Sequence, residues 1–498
     1  MSTRTIQGQK NLQDIRTGSP DGIGGSPLRP DGTLKVKGEF AYSSDLWHED
    51  MLWGMALRSP HPRANILSVD ISEALKLPGV YAVLTHEDIP GEKFYGLEIQ
   101  DQPALAIDKV RYHGEAIAIV AADHPETARR AVKKIKVEYE VLTPIVTEEQ
   151  CLDPETYGYV HEPHEFKSHG HGNICHSQKL VHGGGVTDEI RALADVVVKG
   201  HYEVGMQDQA FLGPESGLAV PAEDGGMDLY VATQWLHVDR QQVAPVLGIP
   251  EEKLRLTLAG VGGAFGGRED LSMQIHACLL AQRTGKPVKI VYARDESFFG
   301  HVHRHPAKMY YEHGATRDGK LVYADARLVL DGGAYASASP AVVGNAASLG
   351  HGPYNIPNVR MEAIALYSNN PSCGAMRGFG AVQACFGYET QMDRLAAELG
   401  MDPVELRQLN AMSEGDPMPT GQVIDSPAPV AQLLQIVKDR PLPPPLDLDN
   451  LDVRTLPGAL SNTSHGEGIV RGVGYSVGIK NVGFSEGFDD YSTARVCV

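Results

Sequence analysis

Apolar positions along this chain follow two periods, and the switch between them marks the elements. In "GEAIAIVAADHPETARRAVKKIKVEYE", residues 114–140, a continuous apolar run gives way to helical spacing. Ile135, Val137 and Tyr139 then alternate with Lys136, Glu138 and Glu140, the period-two pattern of a half-buried strand. The stretch predicts strand, helix, strand, with Asp123 as helix N-cap, Pro125 in the first turn and helix to about Lys134. Leu254, Leu256 and Leu258 alternate in the same way ahead of a glycine-rich loop. Beyond it, "LSMQIHACLLAQ" (271–282) reads as a buried helix and "GKPVKIVYAR" (285–294) as a returning strand. A second unit runs through "PSCGAMRGFGAVQ" (371–383) into a helix with Tyr388, Met392, Leu395 and Leu399 on one face. Gly400 stands where the left-handed end of a helix favours glycine. "MDPVELRQLN" (401–410) opens the next helix, with Asp402 as cap, Pro403 first and Glu405 third.

These elements divide the chain. Residues 1–35, rich in Gly, Pro and polar residues, form a lead-in; 36–150 form a small α/β domain; 151–190 form an irregular connector; 191–440 form a larger α/β region. Residues 441–498 begin with the stiff proline linker within "DRPLPPPLDLDN" (439–450) and continue into a further domain, whose strands would be "GVGYSVGIKN" and "STARVCV". The connector carries His161, His164, His169, His171, His176 and His182. A metal site is one reading of them. The other is a surface segment, because "HEFKSHGHGN" has loop composition and no helical pair of histidines four apart.

Composition narrows the partners more than the fold. At 498 residues the chain exceeds one core. Its 44 basic against 63 acidic residues leave a net charge of −19, the wrong sign for a nucleic-acid scaffold. The six cysteines are scattered without a CxxC pair, which excludes a zinc ribbon or a cysteine-ligated iron–sulfur cluster and suits a reducing compartment. No apolar run approaches a membrane span, so the expectation is a cytoplasmic protein without membrane or nucleic-acid partners.

The candidate chemistry lies in loops. "GVGGAFGGRED" (260–270) has the glycine spacing of a phosphate loop but ends in Arg268, Glu269 and Asp270 instead of Lys and Ser/Thr, and Glu269 would repel a phosphate. A dinucleotide fingerprint fails too, because Phe265 replaces its third glycine. Glycines that merely pack a strand on a helix would explain this loop alone. Three features in order say more: "MQDQAFLGPESGLAV" (206–220) with Gln207 and Glu215, then the glycine loop, then "AMRGFGAVQACFGYE" (375–389) with Arg377 and Phe379. Together with "LRSPHPRANILSVDISEALKLPGVYAVLTHEDIPG" (57–91) they resemble the molybdenum-cofactor subunit of the xanthine dehydrogenase family, the molybdenum hydroxylases, from about residue 28 onward.

That resemblance implies a mixed α/β (α+β) chain: an N-terminal α/β-hammerhead domain followed by an incomplete molybdopterin-binding domain. It implies a molybdenum–molybdopterin cofactor, as molybdopterin or its cytosine dinucleotide, which brings its own dithiolene ligands and needs no protein side chain on the metal. Backbone N–H groups of glycine turns would then cradle an anion without side-chain bulk. Gln207 matches the amide that hydrogen-bonds an oxygen ligand of the metal. Gly263, Phe265, Gly266 and Arg377 match residues that lay their backbone against the cofactor, and Phe379 matches an aromatic that stacks on a flat heterocycle. Glu269 matches the carboxylate that purine-oxidising members offer the substrate ring, against the alternative of a solvated carboxylate paired with Arg268. Asn345 stands where xanthine-oxidising members have a second substrate-binding arginine.

The implied activity is hydroxylation of a heteroaromatic carbon with water, a purine such as xanthine or hypoxanthine being the nearest substrate, with electrons leaving to iron–sulfur and FAD subunits. The family's catalytic glutamate lies past residue 498, so the catalytic residue is unknown, and a second molybdopterin subunit or a truncation is expected. Gln209 and Gly213 depart from the usual His and Glu. The carbon monoxide branch is set aside because "MRGFG" lacks its cysteine, and Cys373 reads as a packed thiol. Rival expectations are an aldehyde or nicotinate-type dehydrogenase on the same scaffold, a non-catalytic phosphate- or metal-binding module, and an inactive fragment.

Overall fold

A computed structural model describes residues 25, 28–163, 165–166, 171–442, 472–481, 494 and 496. The apolar run at Ala116–Ala122 is buried at every position and lies inside a seven-stranded sheet. Strand order is Leu254–Leu258, Met227–Val231, Ser216–Pro221, Val288–Val291, Leu52–Arg58, Ala116–Ala122 and Val80–Leu84. The sheet crosses from the first α/β unit into the larger region through one parallel joint, Leu52 beside Val288 and Trp53 beside Lys289. The helices Leu236–Leu247 and Gln274–Thr284 contribute to the core of this sheet, the second with Ile275 through Ala281 all enclosed. The half-buried strand Lys136–Val141 pairs instead with Ala64–Asp70 in a separate three-stranded sheet.

A five-stranded sheet organises the rest, in the order Val196–Val204, Ala307–Ala315, Leu321–Gly333, Asn358–Tyr367 and Ile174–His182. Helices Ser339–Leu349 and Ala381–Leu399 pack against it. Tyr388, Met392 and Leu395 are buried on the predicted face and Leu399 is half-buried. Gly400 ends the helix at φ 65°, and the Asp402 side chain accepts from the N–H groups of Val404 and Glu405. Among the described residues no helix is long and apolar enough to cross a membrane.

Three local expectations differ from the structure. The cap of helix Pro125–Val132 is His124, whose Nδ1 accepts from the Glu126 N–H at 3.1 Å. The Asp123 N–H instead donates to Gly79 O at 2.9 Å, just ahead of strand Val80–Leu84. Residues 151–190 are not an irregular connector: Ile174–His182 is an edge strand of the five-stranded sheet. His176, Gln178 and His182 share the half-buried face with Ile174 and Leu180, while Val181 is exposed beside Ser177 and Lys179, and this mixing disguised the alternation. His161 is buried, with Nε2 2.6 Å from Ala334 O, while His164 and His169 lie outside the described residues. Finally, 472–481 has no regular strand; it lies along helix Ala381–Leu399, with the Val477 N–H donating to Glu389 Oε2 at 3.0 Å. Most of 441–498, including "STARVCV" apart from single residues, falls outside the described residues.

Candidate functional site

The candidate residues lie where the chain passes between the two large sheets. Gln207 is in the link from strand Val196–Val204 to strand Ser216–Pro221, and Arg377 is in the loop that precedes helix Ala381–Leu399. Arg304, which the sequence reading missed, joins them. Its Nε donates to Gln207 Oε1 at 3.0 Å, its Nη2 donates to Arg377 O at 2.8 Å, and its N–H donates to Gln207 O at 2.9 Å. The Arg377 N–H in turn donates to Phe265 O at 2.8 Å. Gln207, Phe265 and Arg377, distant in sequence, thus form one hydrogen-bonded unit.

The glycine loop can approach its neighbours only because side chains are missing. The Gly213 N–H donates to Gly262 O at 3.1 Å, and a Cβ on Gly262 would lie 2.9 Å from Gly213 Cα. A Cβ on Gly266 would lie 2.7 Å from Ala375 O, so that glycine is where the two loops touch. Gly263 (φ 107°) offers its carbonyl to Arg268 Nε at 2.9 Å. Phe265 and Phe379 both have left-handed backbone, φ 53° and 51°. That conformation costs non-glycine residues on the order of 1 kcal/mol and is held here by the contacts between loops. Phe265 is 50% exposed and Phe379 half-buried.

Arg268 does not pair with Glu269. Its guanidinium turns inward to carbonyls, with Nη1 donating to Ala232 O at 3.1 Å and Nη2 to Gly213 O, and it lies over the Phe211 ring at 4.4 Å. Glu269 instead accepts from Gln234 Nε2 at 3.3 Å. Gln234, also unanticipated, accepts from the N–H groups of Gly266 and Arg268 at 3.0 and 3.4 Å, so one amide shapes the loop and orients the carboxylate. Burial, with the neighbouring Asp270 charge, pushes Glu269 up to about 7. Asp270 accepts from Ser337 Oγ at 2.7 Å while its Oδ2 is enclosed without a partner, and burial pushes it up to about 6.

Beneath Gln207 lies a histidine cluster. Asp208 Oδ2 is 3.3 Å from both His301 Nε2 and His303 Nε2, and Glu215 Oε1 is 2.9 Å from His301 Nδ1. Burial alone would raise both carboxyls, but the histidines outweigh it and hold them low. Gln209 bridges His301 at 3.1 Å to Ala375 O at 2.8 Å, which gives the departure at this position a packing role. Cys373 is fully enclosed, its thiol raised by burial. Asn345 is buried in helix Ser339–Leu349; Gly380, next to Phe379, packs on that helix at Val342 and Ala346. This sets Asn345 behind the second loop. Among the described residues no three His, Cys, Asp or Glu side chains gather as metal ligands would. A separate cavity of about 400 Å³, lined by Cys151, Val204 and Lys308 among others, holds none of the candidate residues.

Comparison with known proteins agrees with this geometry. A family model described as the molybdopterin cofactor-binding domain matches residues 166–411, and one described as the aldehyde oxidase and xanthine dehydrogenase a/b hammerhead domain matches residues 37–143. A probable xanthine dehydrogenase subunit of Bacillus subtilis is 41% identical over 417 residues, 84% of this chain and 54% of that protein. The nicotinate dehydrogenase large molybdopterin subunit of Eubacterium barkeri is 39% identical over 418 residues, 84% of this chain and 96% of that protein. The solved aldehyde oxidoreductase from Desulfovibrio gigas superposes with a TM-score of 0.76 at 30% identity, over 82% of this chain and 45% of that one. The chain therefore spans about half the length of the first and third of these and nearly all of the second.

Proposed function

Because this chain belongs to the xanthine dehydrogenase family of molybdenum hydroxylases, we propose that it is the molybdopterin-binding subunit of an enzyme that hydroxylates a purine such as xanthine or hypoxanthine. The residues present fit the cofactor. The acceptor end of the Gln207 amide is taken by Arg304, which leaves its NH₂ to donate, and Arg304 carries an enclosed Nη1 with no partner. When bound, the cofactor supplies the two-electron oxidation of a ring carbon. Around it, the backbones of Gly263, Phe265, Gly266 and Arg377 line the cradle, and Phe379 stacks on the substrate ring.

The observation that carries the purine reading is Glu269. Among the described residues its carboxyl has no cation beside it; it is oriented by Gln234 and pushed up to about 7. Near neutral pH it can therefore hold a proton for a ring carbonyl or accept one from a ring nitrogen. In the enzyme purified with its co-purifying subunits, Glu269→Ala is expected to cut purine turnover about 100-fold, the typical cost of one transition-state hydrogen bond, at unchanged molybdenum content. Loss of molybdenum in the same proportion would make Glu269 structural and end this reading.

A nicotinate-type substrate is the second reading, favoured by Asn345 in place of an arginine and by the likeness to the nicotinate dehydrogenase subunit. Turnover of nicotinate but not purines by the same preparation would select it. Partner subunits bearing iron–sulfur clusters and FAD complete the proposal; the relatives named as subunits support it. The five cysteines among the described residues are free thiols, which suits a cytoplasmic location.

A further inference from the structure

Arg304 stands at 8% exposure in the turn between helix Arg294–Gly300 and strand Ala307–Ala315. Its guanidinium is committed on two nitrogens, Nε to Gln207 Oε1 and Nη2 to Arg377 O, and both acceptors are neutral. Nη1 is closed off from water without a partner. Among the described residues no carboxylate pairs with it, and burial alone acts on its pKa, which falls. A buried cation matched only by neutral acceptors is costly unless an anion comes close. A guanidinium can only donate, so its bond to Gln207 also settles which end of that amide is which.

We propose that Arg304 is the positioning residue of the cofactor site, fixing the Gln207 amide with its NH₂ outward and supplying the unmatched positive charge that an anionic cofactor needs in this acidic chain. The proposal rests on the molybdopterin reading of the site. It assigns Arg304 no contact with the substrate. Its effect is on retention of the cofactor, through the orientation of one amide and through the local field.

The test compares Arg304→Lys and Arg304→Gln with the wild type, each purified with its co-purifying subunits. Three quantities are read: molybdenum by plasma mass spectrometry, pterin by fluorescence of its oxidised form, and the melting temperature of the cofactor-free protein. Arg304→Gln is expected to lose molybdenum and pterin together by at least about tenfold, the equivalent of 1.4 kcal/mol. Arg304→Lys is expected to fall between it and the wild type, because the charge remains while the planar fork is lost. The cofactor-free melting temperature is expected to move little in either variant, since removing an unmatched buried charge offsets the lost hydrogen bonds. Wild-type molybdenum content in Arg304→Gln would overturn the proposal. So would a cofactor-free melting temperature that falls in step with the molybdenum, because Arg304 would then serve the fold alone. A wild-type complex that holds no molybdenum would overturn the reading of the site and this proposal together.

Discussion

Buried charge is settled in two different ways in this molecule. Away from the glycine loops, enclosed arginines meet carboxylates: Arg58 with Glu296, Arg111 with Glu165 and Arg407 with Glu389, each at 2.8 Å. Burial alone would lower these guanidinium pKa values, but the neighbouring acidic groups outweigh it and raise all three. Around the loops the two signs stay apart. Arg268 and Arg304 rest on carbonyls and an amide, and burial lowers both, with Glu215 only partly offsetting it at Arg268. Glu269 and Asp270 rest on an amide and a hydroxyl, and burial raises both. Pairs that neutralise each other hold the fold together. Charges of both signs left unmatched within a few residues are what a ligand-binding region requires, and perturbed carboxyls in such a place are its usual signature.

Breaking a pair on the structural side is expected to have the largest effect. Arg407→Met strands Glu389, whose side chain is only 7% exposed, and should cost about 3–5 kcal/mol in denaturant unfolding. A cost below about 1 kcal/mol would show that the contrast between the two regions is not energetic.

On the unmatched side, Glu269→Gln sharpens the comparison through pH. The folded state holds this proton up to about 7, whereas an ordinary glutamate releases it near 4.5. Between those values the folded protein binds more protons than the unfolded one, so stability falls as pH rises through the window and is level above it. The variant lacks that loss and should gain about 1–2 kcal/mol on the wild type between pH 4 and 8, after allowance for solvent screening. Parallel stability curves for the two proteins would contradict the environment assigned to Glu269. The smallest effect is expected from Ser337→Ala, which removes the 2.7 Å donor to Asp270. It should cost about 1 kcal/mol in thermal unfolding and raise the Asp270 carboxyl further, while leaving the Arg407 pair untouched.

Strong periodicity made some elements legible. The helix Ala381–Leu399, its terminal Gly400 and the Asp402 cap all follow from local spacing and local hydrogen bonding. Edge strand Ile174–His182 did not show itself, because its half-buried face mixes His176, Gln178 and His182 with Ile174 and Leu180 while its exposed positions include Val181. The loops that carry the family resemblance were visible because glycine is demanded wherever backbones touch, as at Gly262 and Gly266. Gln234 and Arg304 were invisible. The first acts on a carboxylate 35 positions away and the second on an amide 97 positions away, and neither belongs to a periodic or glycine-rich pattern.

The sequence by itself determined the strongly periodic elements, the two glycine loops and the family, because these depend on short-range patterns of burial and backbone freedom. Only the tertiary structure decided that one sheet joins the hammerhead unit to the cofactor-binding region, that Arg268 turns away from Glu269, and that Arg304 ties Gln207 to Arg377. Those choices depend on which donors and acceptors meet once the two sheets are packed. A hydrogen bond across tens of residues leaves no trace in local spacing.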